Sequence, residues 1–183
     1  MTKTKKLVLS GLFTALITAG AFIKIPVPVV PFTLQFLFTT MAGLLLGPAL
    51  GGASVACYVL LGLLGLPIFA GGGGFGYVLQ PTFGYLVGFI VGTYVTGAIA
   101  RKGAQGSYRR LLWASFAGLG IVYAFGMSYY WLIFTYYLGT GIGFWTLFLY
   151  CFLLAVPGDA ALCFASAALG KRLIPVIKKG EAV

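Results

Sequence analysis

Asp159 is the residue of this sequence best suited to chemistry. It lies in "VPGDAALCFASAALGKR", an apolar stretch, and the chain's one other acid is Glu181. A carboxylate within such a run is costly to desolvate, so it usually faces a cavity and pairs with something there. A ligand with N–H donors would supply that partner. A plainer role stays open, because an acid in the first turn of a helix complements the helix dipole. Yet Ser or Asn would cap that turn as well without a charge. Pro157, two residues earlier, marks the helix start.

The second candidate is "GLPIFAGGGGFGYVLQPTFGY", Gly65 to Tyr85. Four consecutive glycines, Gly71, Gly72, Gly73 and Gly74, let backbone amides and carbonyls approach a ligand closely. Phe69, Phe75 and Tyr77 add apolar walls and a hydroxyl. Gln80-Pro81 then opens a helix, whose first N–H groups suit an anionic or carbonyl group. Small-molecule sites are built in this way, as apolar concavities with few polar groups. The competing reading is a flexible loop with interfacial aromatics, although a merely connective loop is normally shorter and carries charge, Ser or Asn. "PFTLQF" contributes Thr33 and Gln35 at a further helix start, where capping explains Thr33 equally well.

Enzyme chemistry finds little support. The chain has no His and a single acid within an apolar run, which leaves no acid/base pair and no metal constellation. A Ser or Cys nucleophile would lack an evident base. Cys57, Cys151 and Cys163 all sit in apolar runs and read as small hydrophobes. "ASAALGKRL" resembles a phosphate-binding loop but has Ala165 for its first glycine and Arg172 where Ser or Thr is required. Any active transport must therefore draw its energy from a partner or an ion gradient.

The elements that position these residues are membrane helices. Of 183 residues, 61% are hydrophobic and 8% charged, whereas a soluble domain carries about a quarter charged residues. The sequence predicts one all-α polytopic membrane domain, residues 1–183, with six transmembrane helices at about 7–23, 33–46, 49–64, 81–100, 111–138 and 157–174. "KIPVPVVP" ends the first span, since its three prolines forbid helix. The N-terminal segment has features of a signal peptide, but it is read as the first span because the later spans need it to balance topology. Phe144 to Ala155 either begins one kinked last helix or lies at the interface before a sixth span from Pro157; the second reading is preferred.

Twelve Lys and Arg against two acids give a net charge of +10. The cations form three clusters at the ends of apolar runs rather than a nucleic-acid-binding stripe: Lys3, Lys5 and Lys6; Arg101, Lys102, Arg109 and Arg110; Lys171, Arg172, Lys178 and Lys179. This is the positive-inside pattern, and the basic ends face anionic lipid headgroups of the bilayer. Both termini are then cytoplasmic, in a multi-pass membrane protein. Lys24 is the single cation of the loops on the other face, which the glycine loop and Asp159 share.

Two small-residue ladders recur at four-residue spacing: Gly11, Ala15 and Ala19 on the first span, and Gly84, Gly88 and Gly92 on the fourth. Such stripes permit close helix contact in lipid. The fourth-span ladder is read as internal packing; for the first-span ladder, internal packing and contact with an external partner helix are equally open. Trp113 and Tyr136-Tyr137 read as interfacial belts, and "SYYW", Ser128 to Trp131, as core.

"PFTLQ", "GLLLGPALGG", "GLPIFAGGGGFGY", "PTFGYLVGF" and "PGD" occur here in one order over nearly the whole chain. In that order they resemble the BioY family, the biotin-specific substrate-binding (S) components of energy-coupling factor (ECF) vitamin transporters. The resemblance implies a six-helix S component that binds biotin near the outer face and needs no cofactor. It also implies three partners, a transmembrane coupling protein docked on Gly11, Ala15 and Ala19 and two ATPase subunits. The family's glycine loop matches Gly71 to Gly74, the polar residue before its Pro-Thr matches Gln80, its next Tyr matches Tyr85, and its acid matches Asp159. The family often has Lys three residues beyond that acid; here Leu162 stands there, leaving Lys24 or the start of span four to act in its place. The full set expected at the ligand is thus Thr33, Gln35, Phe69, Gly71, Gly72, Gly73, Gly74, Tyr77, Gln80, Tyr85 and Asp159. An S component for another small vitamin or heterocycle and a non-catalytic membrane adaptor are the alternatives.

Overall fold

Short apolar runs broken by Pro and Gly fold here into a six-helix bundle. The computed structural model describes residues 2–25, 32–102, 107–141 and 143–179; the proline run at 26–31 lies outside them. Helix α1 (Lys3–Phe22) leads into a two-residue strand β1 (Lys24–Ile25), which pairs antiparallel with β2 (Phe32–Thr33), Lys24 opposite Thr33 and Ile25 opposite Phe32. Helices α2 (Gln35–Leu46) and α3 (Pro48–Leu63) are separated by Gly47 alone. Pro48 takes the first position of α3, where its missing N–H has no intrahelical role. The Arg101 guanidinium donates 2.6 Å to the Leu46 carbonyl and covers that turn.

After the glycine loop, a short 3-10 turn (Phe75–Leu79) leads to α4 (Phe83–Arg101), whose partner α5 (Tyr108–Leu132) runs on through a π turn, Ile133–Tyr137. A short α6 (Phe144–Phe148), a second π turn (Leu149–Leu153) and α7 (Val156–Lys179) complete the chain, with Pro157 in the first turn of α7. Among the described residues, four helical stretches are long and apolar enough to cross a membrane: Lys3–Phe22, Phe83–Arg101, Tyr108–Tyr137 and Trp145–Ile177; α2 and α3 are shorter.

Small residues and hydroxyls bring the helices together. A Cβ at Gly88 would lie 2.9 Å from Val122 Cα, and one at Gly92 2.9 Å from the Gly118 carbonyl, so the α4 ladder is what seats α4 on α5. By contrast Gly11, Ala15 and Ala19 are exposed, and nothing lies within 4 Å of a Cβ placed at Gly11. Thr93 donates to the Thr39 carbonyl (3.1 Å), Thr96 to that of Ala114 (3.2 Å) and Thr14 to that of Ser54 (3.1 Å), pinning α4 to α2 and α5, and α1 to α3.

Cross-helix contacts fix which ends lie together. Ser10 bonds Ser54, Arg101 bonds Leu46, Arg110 donates to the Ile99 carbonyl, and Gly170 packs on Leu44 and Leu111. The start of α1, the α2–α3 turn, the α4–α5 junction and the last turns of α7 therefore share one end, which carries the three basic clusters. The hairpin, the glycine loop and the starts of α4 and α7 form the other end.

Candidate functional site

The end away from the basic clusters holds a cavity of about 380 Å³. Its roof is the β1–β2 hairpin and the glycine loop; its floor and walls are the starts of α2, α4 and α7 and the middle of α5. Phe36, Leu86, Phe89 and Val122 make the wall largely apolar, and a few polar groups interrupt it.

Asp159 lines this cavity from the first turn of α7. The Tyr123 hydroxyl, from the middle of α5, donates to its Oδ2 at 2.5 Å. A carboxylate offers about four lone-pair sites, so this bond leaves acceptor capacity for a ligand. Gln35 is the first residue of α2 and 3% exposed, and its Nε2 is buried with no hydrogen-bond partner. Gln35 is one of the residues that line the cavity, while this nitrogen itself is closed off from it, on the Tyr58 side. Tyr85, from α4, donates to the Cys151 carbonyl (3.3 Å), which ties the second π turn into the wall.

The glycine loop is held by its own backbone. Phe69 and Gly72 exchange both backbone hydrogen bonds (2.8 and 3.1 Å), and the Gly74 N–H donates to the Gly62 carbonyl (2.7 Å). Gly72 at φ +121° and Gly74 at φ +97° adopt conformations that side chains resist. Gly73 presses on the Leu66 carbonyl, leaving no room for a Cβ. Side chains engage three further loop carbonyls: Tyr58 that of Ile68 (3.0 Å), Lys24 that of Ala70 (3.0 Å) and Tyr129 that of Val78 (2.6 Å).

Of the residues expected at the site, Thr33, Gln35, Gly71, Tyr77, Gln80, Tyr85 and Asp159 border this one cavity. Phe69, Gly72, Gly73 and Gly74 do not. Phe69 is buried between Tyr58 and Tyr77 (ring centroids 5.5 and 4.6 Å) and so props Tyr77, while the three glycines shape the loop behind the wall. At the start of α4, the N–H groups of Phe83 and Tyr85 are engaged by the Gln80 and Thr82 carbonyls (3.0 and 3.1 Å) rather than open to the cavity. Sequence reasoning missed Tyr123, Phe36, Phe89 and Cys151. The need of an intramembrane carboxylate for a donor was a signal for Tyr123, but α5 also carries Tyr129 and Tyr130, and the sequence does not say which of them reaches the acid. Leu162 packs in the apolar core, and none of Ser128 to Trp131 borders the cavity.

Comparison with known proteins agrees with this geometry. A sequence model of the BioY family matches residues 1–179. A protein of Lysinibacillus sphaericus named "Probable biotin transporter BioY" is 41% identical over 180 residues, covering 98% of this chain and 92% of its own. The "Biotin transporter BioY" of Thermotoga maritima is 48% identical over 124 residues, covering 67% and 72%. The crystal structure of an S-component for biotin from an ECF-type ABC transporter superposes with a TM-score of 0.81 at 28% identity, over 94% of both chains. By sequence match along nearly its whole length, the chain belongs to the BioY family.

Proposed function

We propose that this chain is the biotin-binding membrane subunit of an ECF-type transporter in the bacterial plasma membrane, a transporter component and not an enzyme. The observation that carries the reading is the placement of the Asp159 carboxylate and the Gln35 side-chain amide on the wall of one largely apolar cavity. The ureido ring of biotin carries two N–H donors and a carbonyl, so a carboxylate and a side-chain amide are complementary to it. Its thioether ring and aliphatic tail suit Phe36, Leu86 and Phe89. A volume of about 380 Å³ falls at the small end of ligand sites, as fits a compact bicyclic ligand.

Thr33, Gly71, Tyr77, Gln80 and Tyr85 complete the ligand's surroundings, with Phe69 and Gly72 to Gly74 shaping the loop. The chain uses no cofactor in this reading. Transport energy comes from two ATPase subunits through a transmembrane coupling protein docked on Gly11, Ala15 and Ala19, a ladder exposed among the described residues. The basic end, with both termini, faces the cytoplasm.

Native mass spectrometry of protein purified in mild detergent, titrated with biotin, riboflavin and thiamine, tests the reading. A single adduct of biotin mass is expected. Preference for another vitamin would reassign the substrate, and no adduct would leave a structural adaptor as the better account.

A further inference from the structure

The cavity's charges are few: among the described residues that border it, Asp159 is the one acid and Lys24 the one cation. Biotin is itself charged, through the carboxylate at the end of its aliphatic tail, distant from the ureido ring. An anion entering an apolar cavity without a counter-charge is strongly disfavoured. The Asp159 end repels it. If the ureido ring lies at Asp159, the tail must run toward a cation elsewhere on the wall.

Lys24 is built into the site. Strand pairing sets it opposite Thr33, another wall residue, and Phe32 beside Thr33 packs on Gly158, next to Asp159. The Lys24 ammonium reaches from this hairpin to the glycine loop and donates 3.0 Å to the Ala70 carbonyl. An ammonium has three donors, so two remain after that bond. Among the described residues, other sources of positive charge at the cavity are lacking. Leu162, one turn beyond Asp159, is apolar and packed in the core. Two of the first amides of α4 are already engaged. The arginines and remaining lysines of the described helices lie at the opposite end of the bundle.

We propose that Lys24 is the specificity residue for the ligand's carboxylate, and that on binding it joins ligand, hairpin and glycine loop through one ammonium group. This rests on the biotin reading above. It also assigns a selectivity: the site favours the free acid over a neutral amide of the same molecule.

The test is a calorimetric titration of biotin and of biotinamide, its primary amide, into the detergent-purified full chain as wild type, Lys24→Met and Lys24→Arg. Because Lys24 is exposed and partly screened by water, Lys24→Met is expected to weaken biotin by about three- to tenfold. Biotinamide affinity stays unchanged, and Lys24→Arg keeps most of the preference for the acid. Equal weakening of both ligands would show that Lys24 only fastens the loop, and overturn the proposal. So would wild-type protein that binds acid and amide equally, or Lys24→Met with wild-type biotin affinity. Wild-type protein that binds neither compound removes the biotin reading itself, and the proposal with it.

Discussion

Replacing Asp159 by Asn tests the site at its centre. The change is nearly isosteric, and the Asn carbonyl oxygen can still accept the Tyr123 hydroxyl that now reaches Oδ2 at 2.5 Å. What is lost is the charge, and one acceptor becomes an NH2 group facing the ligand's N–H donors. A hydrogen bond to a charged group contributes about 1.5–3 kcal/mol, which corresponds to about ten- to a hundredfold in affinity. Asp159 is half-buried and not sealed from water, so the lower end, about tenfold, is the expected minimum. Biotin is titrated calorimetrically into wild type and Asp159→Asn, and the thermal midpoint of each unliganded protein is measured alongside. The unliganded variant should be as stable as wild type or more so, since a partly desolvated charge has been removed. Tyr123→Phe should cause a smaller loss, because it deprives the carboxylate of one support and leaves its charge. Wild-type affinity in Asp159→Asn would refute the reasoning and reduce Asp159 to a dipole-complementing residue of α7.

Three further outcomes follow from close contacts. A Cβ at Gly84 would lie 2.7 Å from the Phe125 carbonyl and overlap Tyr129; Gly84→Ala should push α4 from α5 and lower stability by about 1–3 kcal/mol, read by thermal unfolding in detergent. Gly11→Leu, on an open face, should leave thermal midpoint and biotin affinity intact while abolishing co-purification with the coupling protein; persistent co-purification would deny the ladder its docking role. Gly73→Ala should strongly weaken biotin binding, since the Leu66 carbonyl occupies the space, whereas Gly76→Ala, with nothing within 4 Å, should bind as wild type in the same titration.

Much of the cavity's polar lining was legible because chemistry-bearing residues are rare in this chain. One intramembrane acid, one glycine run and two polar residues after a proline loop stand out against an apolar background, and seven of the residues flagged border one cavity. Helix breaks were legible where Pro or Gly forces them, as at Gly47-Pro48. The division of labour within the glycine loop was not. Gly71 borders the cavity while Gly73 packs behind it, a difference set by the fold of the loop and absent from four identical letters. Tyr123 was hidden for a related reason: its pairing with Asp159 joins helices 36 residues apart. The ladders of α1 and α4 have the same spacing, and only their neighbours distinguish a packed face from an open one.

The brevity of α2 and α3 has a consequence for the lipid. At 12 and 16 residues they span about 18 and 24 Å, short of a hydrocarbon core about 30 Å thick. On this side the glycine loop and hairpin make up the missing height. Their exposed apolar side chains, Phe75 at 79% and Ile25 at 61% among them, suit acyl chains and headgroups better than bulk water. Irregular backbone at that depth persists only where its polar groups find partners inside the protein, which is what Tyr58, Lys24 and Tyr129 provide for the carbonyls of Ile68, Ala70 and Val78. Bilayer thickness thereby becomes a variable of ligand capture. Longer acyl chains would raise the hydrocarbon boundary toward the hairpin and glycine loop that roof the cavity, and thinner membranes would lower it.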